Sequence, residues 1–175
     1  MSLRTRARAL ERACAAEPDA DVTWLEAPPA GYGRFAVTTP VPGVTLARAG
    51  SALRGWSLHR SAGLRVVAPR PACTGDSVVV GVPFGPLAWA APCRVLEVVE
   101  RADRVAFTYA TLAGHPEHGV ERFTMRGTAD GVTFEVEAVS RPSLAVVRVL
   151  PGPAEWIQAR VTERYLRAAR ELGTA

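Results

Sequence analysis

The sequence predicts an α+β domain in which an antiparallel sheet of about six to seven strands wraps around a long C-terminal helix. Residues 93–141 alternate apolar and polar side chains in four stretches joined by short turns, which is typical of neighbouring strands. Residues 154–172 repeat apolar side chains every three or four positions, which is typical of an amphipathic helix. One face of such a sheet needs an apolar cover, and this helix supplies it.

Shorter patterns predict the N-terminal elements. Residues 3–16 are predicted to form a helix that ends at Glu17-Pro18. The stretch that follows is rich in proline and glycine and contains one predicted strand, near Arg34–Thr38. Residues 44–60 have helical spacing, and the two glycines within this stretch indicate a pair of short helices as the alternative to a single one.

Two further strands are predicted near Leu64–Ala68 and Ser77–Val82, followed by a loop at residues 83–92. Trp89 in this loop is interpreted as a lid or as a simple anchor. Pro153 suits the first turn of the C-terminal helix. This order of elements is that of the helix-grip, or START-like, fold, which characteristically leaves a cavity between sheet and helix. An α+β domain without a cavity is the competing interpretation.

The turns within residues 93–141 predict which side chains face each other across the strands. If Arg101-Ala102 and Asp130-Gly131 are the central residues of two-residue loops, the partners on all four strands follow. The predicted rungs are Val98, Val105, Met125 and Val136; Leu96, Phe107, Phe123 and Ala138; and Arg94, Tyr109, Glu121 and Ser140. Two apolar rungs that end in a polar one indicate a concave surface with a recognition end.

Length and composition set the broad class. With 175 residues and 48% hydrophobic content, the chain is expected to be one domain, residues 1–175, with residues 1–16 as a peripheral extension. No apolar run is long enough to span a bilayer, and the arginine-rich start lacks the apolar segment of a signal peptide. The widely spaced Cys14, Cys73 and Cys93 are interpreted as reduced thiols of a cytoplasmic protein.

The positive charge of the chain does not indicate nucleic-acid binding. The net charge is +4, but all 21 basic residues are arginines, which is typical of a GC-rich bacterial genome. Arg4, Arg6, Arg8 and Arg12 lie in the first predicted helix, and the rest of the chain is nearly neutral with interspersed charges. Without a basic stripe interleaved with aromatic residues, a nucleic-acid partner is not expected.

Glu121 is the sharpest candidate for a functional residue. Strand parity places it on the face of Phe107 and Phe123, where an isolated charge is costly, so it must find a partner or take up a proton. Three interpretations stay open: a structural ion pair with Arg94, a pocket group that recognises a ligand or moves a proton, and another register that exposes Glu121. If Glu121 does not neutralise Arg94, the guanidinium would suit an anionic ligand head group.

His115 lies in a predicted hairpin loop, close to Glu117 and His118. It is interpreted as a turn-stabilising residue or as a gate or acid–base group at the cavity mouth. One short loop supplies too few well-spaced ligands for a metal, so no metal site is expected. His118 is interpreted as a solvent-exposed loop residue.

The remaining candidates have plainer interpretations. Trp56 and His59 share one face of the middle helical segment and are interpreted as core and rim residues, with ligand contact as the alternative. Ser140 faces the polar rung but lacks the surroundings of a serine nucleophile. No glycine-rich phosphate loop or dinucleotide fingerprint occurs, so no cofactor is expected.

Several segments carry a resemblance to a known family. They include AGSALRGWSLHRSAGLRV, PCRVLEVVE, TLAGHPEHGVERF and EAVSRPSLAVVRVLPGP. From Pro28 to Leu172 the chain resembles the domain-of-unknown-function family nineteen-ninety, also called uncharacterised protein family 0548. Because that family has no established function, the resemblance implies a fold and the location of a site, and it implies no chemistry.

The central segment departs from the family pattern at three positions. Ala110 replaces a glycine, Ala113 replaces a proline and Val120 replaces a glutamate. The segment retains Thr111, Gly114, His115, Pro116, Glu117, Gly119, Glu121 and Phe123. The missing carboxylate at Val120 implies that this group is dispensable or that this member has drifted.

Two functions from different classes fit these observations. The first is a binding module whose cavity holds a small hydrophobic or amphipathic molecule with one polar end. The expected ligand contacts are Arg94, Tyr109, Glu121, Ser140, Phe107, Phe123 and Trp56. The second is an enzyme of the cyclase, dehydratase or hydrolase type that uses Glu121 or His115 as general acid or base. A pKa of Glu121 near neutrality favours the enzyme, and a low, salt-bridged pKa favours a binding or structural role.

Overall fold

The computed structural model describes residues 13, 15–84, 87–143 and 151–174, with the backbone alone at residues 84, 87, 88 and 151–158. The predicted helix of residues 3–16 lies almost entirely outside this range. The described strands form a sheet in the order β1-β7-β6-β5-β4-β3-β2, in which all neighbours are antiparallel. They are β1 Gly33–Val41, β2 Arg65–Val67, β3 Ser77–Phe84, β4 Leu87–Glu100, β5 Arg104–Thr111, β6 Glu117–Thr128 and β7 Gly131–Pro142.

Among the described residues, three α-helices pack on one face of this sheet. They are α1 (Leu46–Arg54), α2 (Ser57–Ser61) and α3 (Pro151–Glu171), while a 3-10 helix at Val22–Leu25 packs on the opposite face. The predicted α+β class, with an antiparallel sheet and a C-terminal helix, is confirmed. None of the described helices is long and apolar enough to cross a membrane.

The segment 44–60 forms two helices, which confirms the second of the two predicted alternatives. Thr45 caps α1 by accepting a hydrogen bond from the backbone N–H of Arg48 at 3.3 Å, and Gly55 ends the helix. Trp56 then adopts a left-handed backbone with φ of 63°, which is uncommon for a residue other than glycine. Its ring is buried, and its Nε1 donates to the Arg70 carbonyl at 3.1 Å.

The predicted loop at residues 83–92 is wrong. Residues 87–92 form the first half of β4, which pairs with β3 from Phe84–Leu87 onward. Pro92 weakened the strand pattern because proline cannot donate to a sheet ladder. Pro92 still contributes a hydrogen bond through its carbonyl oxygen, which accepts from the Leu112 N–H at 2.9 Å. Trp89 consequently lies within a strand, opposite Val82, and is 43% exposed.

The predicted turns give the correct register for β6 with β5 but not for β6 with β7. The pairing of β5 with β6 is as predicted, so Tyr109 lies opposite Glu121. The pairing of β6 with β7 is shifted by two residues, because the turn is centred on Ala129-Asp130 instead of on the following pair. Glu121 therefore lies opposite Ala138, and its predicted pairing with Ser140 is wrong.

The predicted register of β4 with β5 is also wrong. The turn is centred on Ala102-Asp103, one residue later than predicted. In addition, a β-bulge between Val95 and Glu97 reverses the direction of side chains in the first half of β4. Val95 therefore lies opposite Tyr109, and Arg94 points to the other face of the sheet.

The two faces of the sheet carry separate apolar clusters. The concave face, defined as the face that packs against the three α-helices, holds the main core. Its largest fully buried side chains include Leu53, Leu58, Phe107, Phe123, Met125, Phe134 and Tyr165. The outer face carries a smaller cluster of Ala20, Leu25, Ala110, Val120 and Val139, with Leu96 packed against it. Leu96 therefore lies on the outer face, and its predicted rung with Phe107 is wrong.

Gly50 is required where α1 meets β5. A Cβ atom at Gly50 would lie 2.6 Å from Cγ2 and 2.9 Å from Cβ of Val105. We expect Gly50→Ala to lower the free energy of unfolding by about 1–3 kcal/mol, because the overpacked contact outweighs the gain in helix propensity. Urea denaturation of this variant, with Ala at the exposed neighbour Ser51 as control, measures the effect. A Gly50→Ala protein as stable as wild type would contradict the close packing.

Candidate functional site

A phenol–carboxyl pair lies at the polar end of the concave face. Tyr109 on β5 donates a hydrogen bond from its hydroxyl to Oε2 of Glu121 on β6, with an oxygen–oxygen distance of 2.5 Å. Strand pairing holds the two residues side by side, because they are direct cross-strand partners. Tyr109 is buried, whereas Glu121 keeps part of its accessible surface. The carboxyl is therefore embedded in an apolar wall, on a residue that is only partly buried.

The surroundings of this pair disfavour negative charge. Burial raises the pKa of Glu121 to about 7, with a further increase from Glu117, although the hydrogen bond from Tyr109 acts in the opposite direction. Burial also raises the pKa values of Tyr109, Tyr165 and Cys93, and the charge of Glu121 adds to each increase. Glu121 thus titrates close to neutrality while the phenols and the thiol stay protonated.

Helix α3 closes over this pair through Tyr165. The Tyr165 ring is buried and stands edge-on to Phe123, with ring centroids 5.1 Å apart. It also meets His59 of α2 at a centroid distance of 5.0 Å. The C-terminal helix thereby brings a second phenol to the side of the sheet that carries Glu121. The sequence indicated the helical face of Tyr165 but not its neighbours, because these come from three separate elements.

The aromatic residues predicted to form an apolar wall lie together on the concave face. Phe107 and Phe123 are fully buried cross-strand partners with ring centroids 5.4 Å apart. Trp56 packs against Phe107 at 4.9 Å between centroids. His59 lies among these rings and is fully buried, so it is a core residue and not a rim residue.

A second carboxyl lies near the first, at the start of β6. Ser140 donates to Oε2 of Glu117 at 2.6 Å, and burial raises the pKa of Glu117. The predicted site residue Ser140 therefore serves Glu117 instead of Glu121. Between the two carboxyls, Gly119 has φ of 155°, and a Cβ there would lie 2.0 Å from the Val139 carbonyl oxygen. Only glycine allows this approach of β6 to β7.

Arg94 does not belong to this constellation. The bulge in β4 turns it to the outer face, where its guanidinium donates to the carbonyls of Gly75 and Ala16, each at 2.7 Å. A longer contact of 3.5 Å reaches the Ala13 carbonyl. The ion pairs of the described residues do not include Arg94 with Glu121, so that predicted pairing is wrong. Arg94 instead fastens Ala13 and Ala16 to the sheet.

His115 makes the contacts expected of a turn residue. Its Nδ1 lies 2.8 Å from the backbone carbonyl oxygen of Glu117 and 3.0 Å from the backbone nitrogen of the same residue. Nδ1 donates to the carbonyl in one tautomer of the ring and accepts from the N–H in the other. Burial lowers the pKa of His115 to about 4. The residue lies at the same end of the sheet as Glu117, and its role as an acid–base group stays a prediction.

His118 is not a simple exposed loop residue, contrary to the sequence interpretation. It lies on the outer face and is hydrogen-bonded through Nδ1 to the Tyr32 hydroxyl at 2.5 Å and through Nε2 to Asp19 at 2.6 Å. The Trp24 ring packs against the rings of Tyr32 and His118. The guanidinium of Arg141 lies over the Tyr32 ring, 4.7 Å from its centroid. The sequence does not reveal these contacts of His118, because their partners lie in the distant segment 19–32, whose position on the sheet depends on the tertiary fold.

Two further features of the described residues bear on the site. The described residues contain no group of three or more His, Cys, Asp or Glu side chains arranged to hold a metal ion. A surface groove of about 440 Å³ lies between α1 and the β4–β5 turn, with Gly50, Arg54, Glu100 and Val105 among its lining residues. This groove contains none of the predicted site residues, so the phenol–carboxyl pair remains the candidate site.

Glu121 is expected to make the protein less stable as the pH rises through neutrality. Its carboxyl keeps a proton in the folded state up to about pH 7, whereas the unfolded chain releases it near 4.5. Stability is therefore full below pH 4.5 and is lost by up to about 1.4 kcal/mol per pH unit between these values. Denaturation curves from pH 5 to 8 should show this decline in wild type and not in Glu121→Gln. The exposed Glu163→Gln serves as control, and an unchanged decline in Glu121→Gln would contradict the assignment.

His59 is expected to have the opposite effect on the acid side. Burial lowers its pKa from 6.5 to about 3, so the unfolded chain takes up a proton that the folded chain refuses. Stability attributable to His59 is full above pH 6.5 and is lost as the pH falls toward 3. In His59→Phe, the loss of stability between pH 6.5 and 4 should be smaller than in wild type when measured by the same denaturation curves. An equally steep loss in both proteins would show that His59 is not buried in its neutral form.

Comparison with known proteins gives the fold and the family. A hypothetical protein, jhp0584 of Helicobacter pylori, superimposes with a TM-score of 0.62 at 8% identity, over 90% of this chain and 96% of that one. Ara h 8.0201 gives 0.59 at 10% identity, over 82% and 99%. The di-domain ARO/CYC StfQ from the steffimycin biosynthetic pathway gives 0.61 at 11% identity, over 82% and 51%. These similarities show the helix-grip, START-like fold, as predicted.

The sequence comparisons agree with the resemblance noted above. A UPF0548 protein of Deinococcus radiodurans is 37% identical over 75 residues, which are 42% of this chain and 38% of that protein. The match thus spans well under half the length of that relative. The family model described as domain of unknown function DUF1990 matches residues 17–168. The chain therefore belongs to the DUF1990 family.

Proposed function

We propose that the chain binds a small, largely apolar molecule between the concave face and the helices, with the polar end of that molecule at Tyr109 and Glu121. The observation that carries this proposal is the position of Glu121. A carboxyl within an aromatic wall costs stability unless it is partnered or protonated. An apolar residue at this position would pack without that cost, so a requirement for recognition explains the carboxyl better than a requirement for folding.

The contacts assign a role to each group. Tyr109 holds Oε2 of Glu121, and a ligand would approach through the other oxygen, Oε1. In its protonated form Glu121 donates to a carbonyl oxygen, and in its ionised form it accepts from a hydroxyl. Phe107 and Phe123 supply apolar surface beside this end. Arg94 takes no part, since it binds backbone carbonyls on the outer face. The cation that the sequence suggested for an anionic head group is therefore not at this end of the concave face.

The fold supports the same proposal. A helix-grip domain characteristically encloses space between its sheet and its C-terminal helix, and here Tyr165 of α3 faces the same cluster of rings as the sheet residues. Polar groups that are few and placed at one end of an apolar enclosure are typical of small-molecule sites. Ser140 and Glu117 form a second polar pair at this end and would border the polar part of the ligand.

An enzyme is the second candidate, and one observation favours it. A carboxyl with a pKa of about 7 is suited to give and take a proton near neutral pH. Glu121 would act as general acid or base, and Tyr109 would orient the substrate, in a reaction of the cyclase, dehydratase or hydrolase type. His115 is the alternative base, because its lowered pKa keeps the imidazole neutral. The same fold occurs in StfQ, an ARO/CYC of a biosynthetic pathway.

Native mass spectrometry of freshly purified protein tests the binding proposal. We expect wild type and the surface control Glu163→Gln to carry a discrete added mass, and Glu121→Gln to lose most of it. The reason is that the amide N–H is a weaker donor than a carboxyl O–H and the amide oxygen is a weaker acceptor than an ionised carboxylate. The added mass would identify the chemical class of the ligand. An adduct that persists in Glu121→Gln would contradict a polar end at Glu121. A clean apo mass in all three proteins would contradict tight binding and favour the enzyme.

A further inference from the structure

His59 is a polar residue without a polar partner. It lies on α2, its side chain is fully buried, and within the described residues neither Nδ1 nor Nε2 has a hydrogen-bond partner. Four rings surround it: Phe123, Tyr165, Trp56 and Phe107, at centroid distances of 4.8, 5.0, 5.2 and 5.7 Å. Buried polar atoms in native proteins nearly always find hydrogen-bond partners, so the two unpartnered ring nitrogens of His59 need an explanation.

Packing alone does not explain this histidine. A phenylalanine or leucine would fill an aromatic enclosure without leaving a donor and an acceptor unsatisfied. Burial keeps the imidazole neutral, since the pKa falls to about 3, and the neighbouring charge of Arg60 acts in the same direction. A neutral imidazole presents one N–H donor and one bare nitrogen acceptor. The partner that it fits is an uncharged hydroxyl, which can accept and donate.

His59 and Glu121 belong to one continuous cluster of rings. Phe123 contacts His59 on one side and Tyr109 on the other, with centroid distances of 4.8 and 5.6 Å. Tyr109 in turn holds Glu121. The two polar groups therefore stand at different places along an apolar wall, with aromatic surface between them. A molecule that met both would carry polar groups at two ends of an apolar body.

We propose that His59 is a second polar contact for the ligand, and that the ligand is a ring-sized apolar molecule with a hydroxyl group at the His59 end and another polar group at the Glu121 end. This inference rests on the proposed binding function. Because four rings enclose His59, ligand entry requires one of them to give way. Tyr165 is the ring that we expect to move, since it stands on α3 while Phe107 and Phe123 lie in the middle of the sheet. Trp56 is held in place by the hydrogen bond from its Nε1 to the Arg70 carbonyl.

Two matched probes test the proposal on the full chain. Naphthalene-2,6-diol carries a hydroxyl at each end, and 2-naphthol carries only one. We expect the diol to bind wild type about five- to tenfold more tightly, which corresponds to one additional hydrogen bond. In His59→Phe the two probes should bind with equal affinity, close to that of 2-naphthol for wild type. Glu121→Gln should weaken both probes. Fluorescence titration of each probe measures these affinities.

A second measurement uses wild type and does not depend on the folding of a variant. The chain has three histidines, so ¹⁵N-histidine labelling gives few ring signals, and His115→Gln and His118→Gln assign them. The diol should shift the His59 ring nitrogen that its hydroxyl reaches, because that nitrogen gains a hydrogen bond, and leave those of His118 on the outer face unchanged. His59 signals that do not move when the diol is bound would overturn the inference.

The outcomes separate this inference from the function on which it rests. If both probes bind, Glu121→Gln weakens them and the diol keeps its advantage in His59→Phe, then the role of His59 is wrong and the binding site at Glu121 stands. If the His59 nitrogens are already hydrogen-bonded before any probe is added, an internal water is their partner and the inference is overturned. If neither probe binds wild type, both the inference and the proposed function are contradicted.

Discussion

The contact between the aromatic face of the sheet and the rings of the helices holds the two layers of this fold together. Phe107 and Phe123 stand side by side in the middle of the sheet, and Trp56 and Tyr165 cover them from two helical segments. Full burial of a phenylalanine contributes about 1.5–3 kcal/mol, and each aromatic pair adds about 0.5–1.5 kcal/mol. The close approach of Gly50 to Val105 and the left-handed turn at Trp56 both serve to bring α1 and α2 onto this surface.

Two ionisable groups in this aromatic region have their pKa values displaced in opposite directions by the same cause. Burial raises the pKa of Glu121 and lowers that of His59, since in each case the charged form is the one that loses its hydration. Around neutral pH the interior thus tends toward uncharged hydrogen-bonding groups set among rings. Such an interior suits an apolar molecule with uncharged polar ends better than an anion, and the outward position of Arg94 agrees with this.

The outer face of the sheet explains two departures from the family pattern. Ala110 and Val120 are direct cross-strand partners, and both are buried in the cluster beneath Leu25. The carboxylate that the family pattern places at position 120 would lie on this face, away from Glu121, so its absence does not touch the candidate site. The hydrogen bonds of His118 to Asp19 and Tyr32 fasten the segment that covers this cluster.

The sequence by itself determined the class of the fold, the order of its elements and the pairing of Tyr109 with Glu121. Alternation along a strand and helical spacing along a helix follow from local geometry, so a pattern of side chains is enough to read them. Only the tertiary structure decided the rest: the bulge that removes Arg94 from the concave face, the turn that pairs Glu121 with Ala138, and the enclosure of His59. A bulge and the centre of a turn depend on hydrogen bonds between strands, and the burial of one histidine depends on three elements meeting, so no single stretch of sequence contains them.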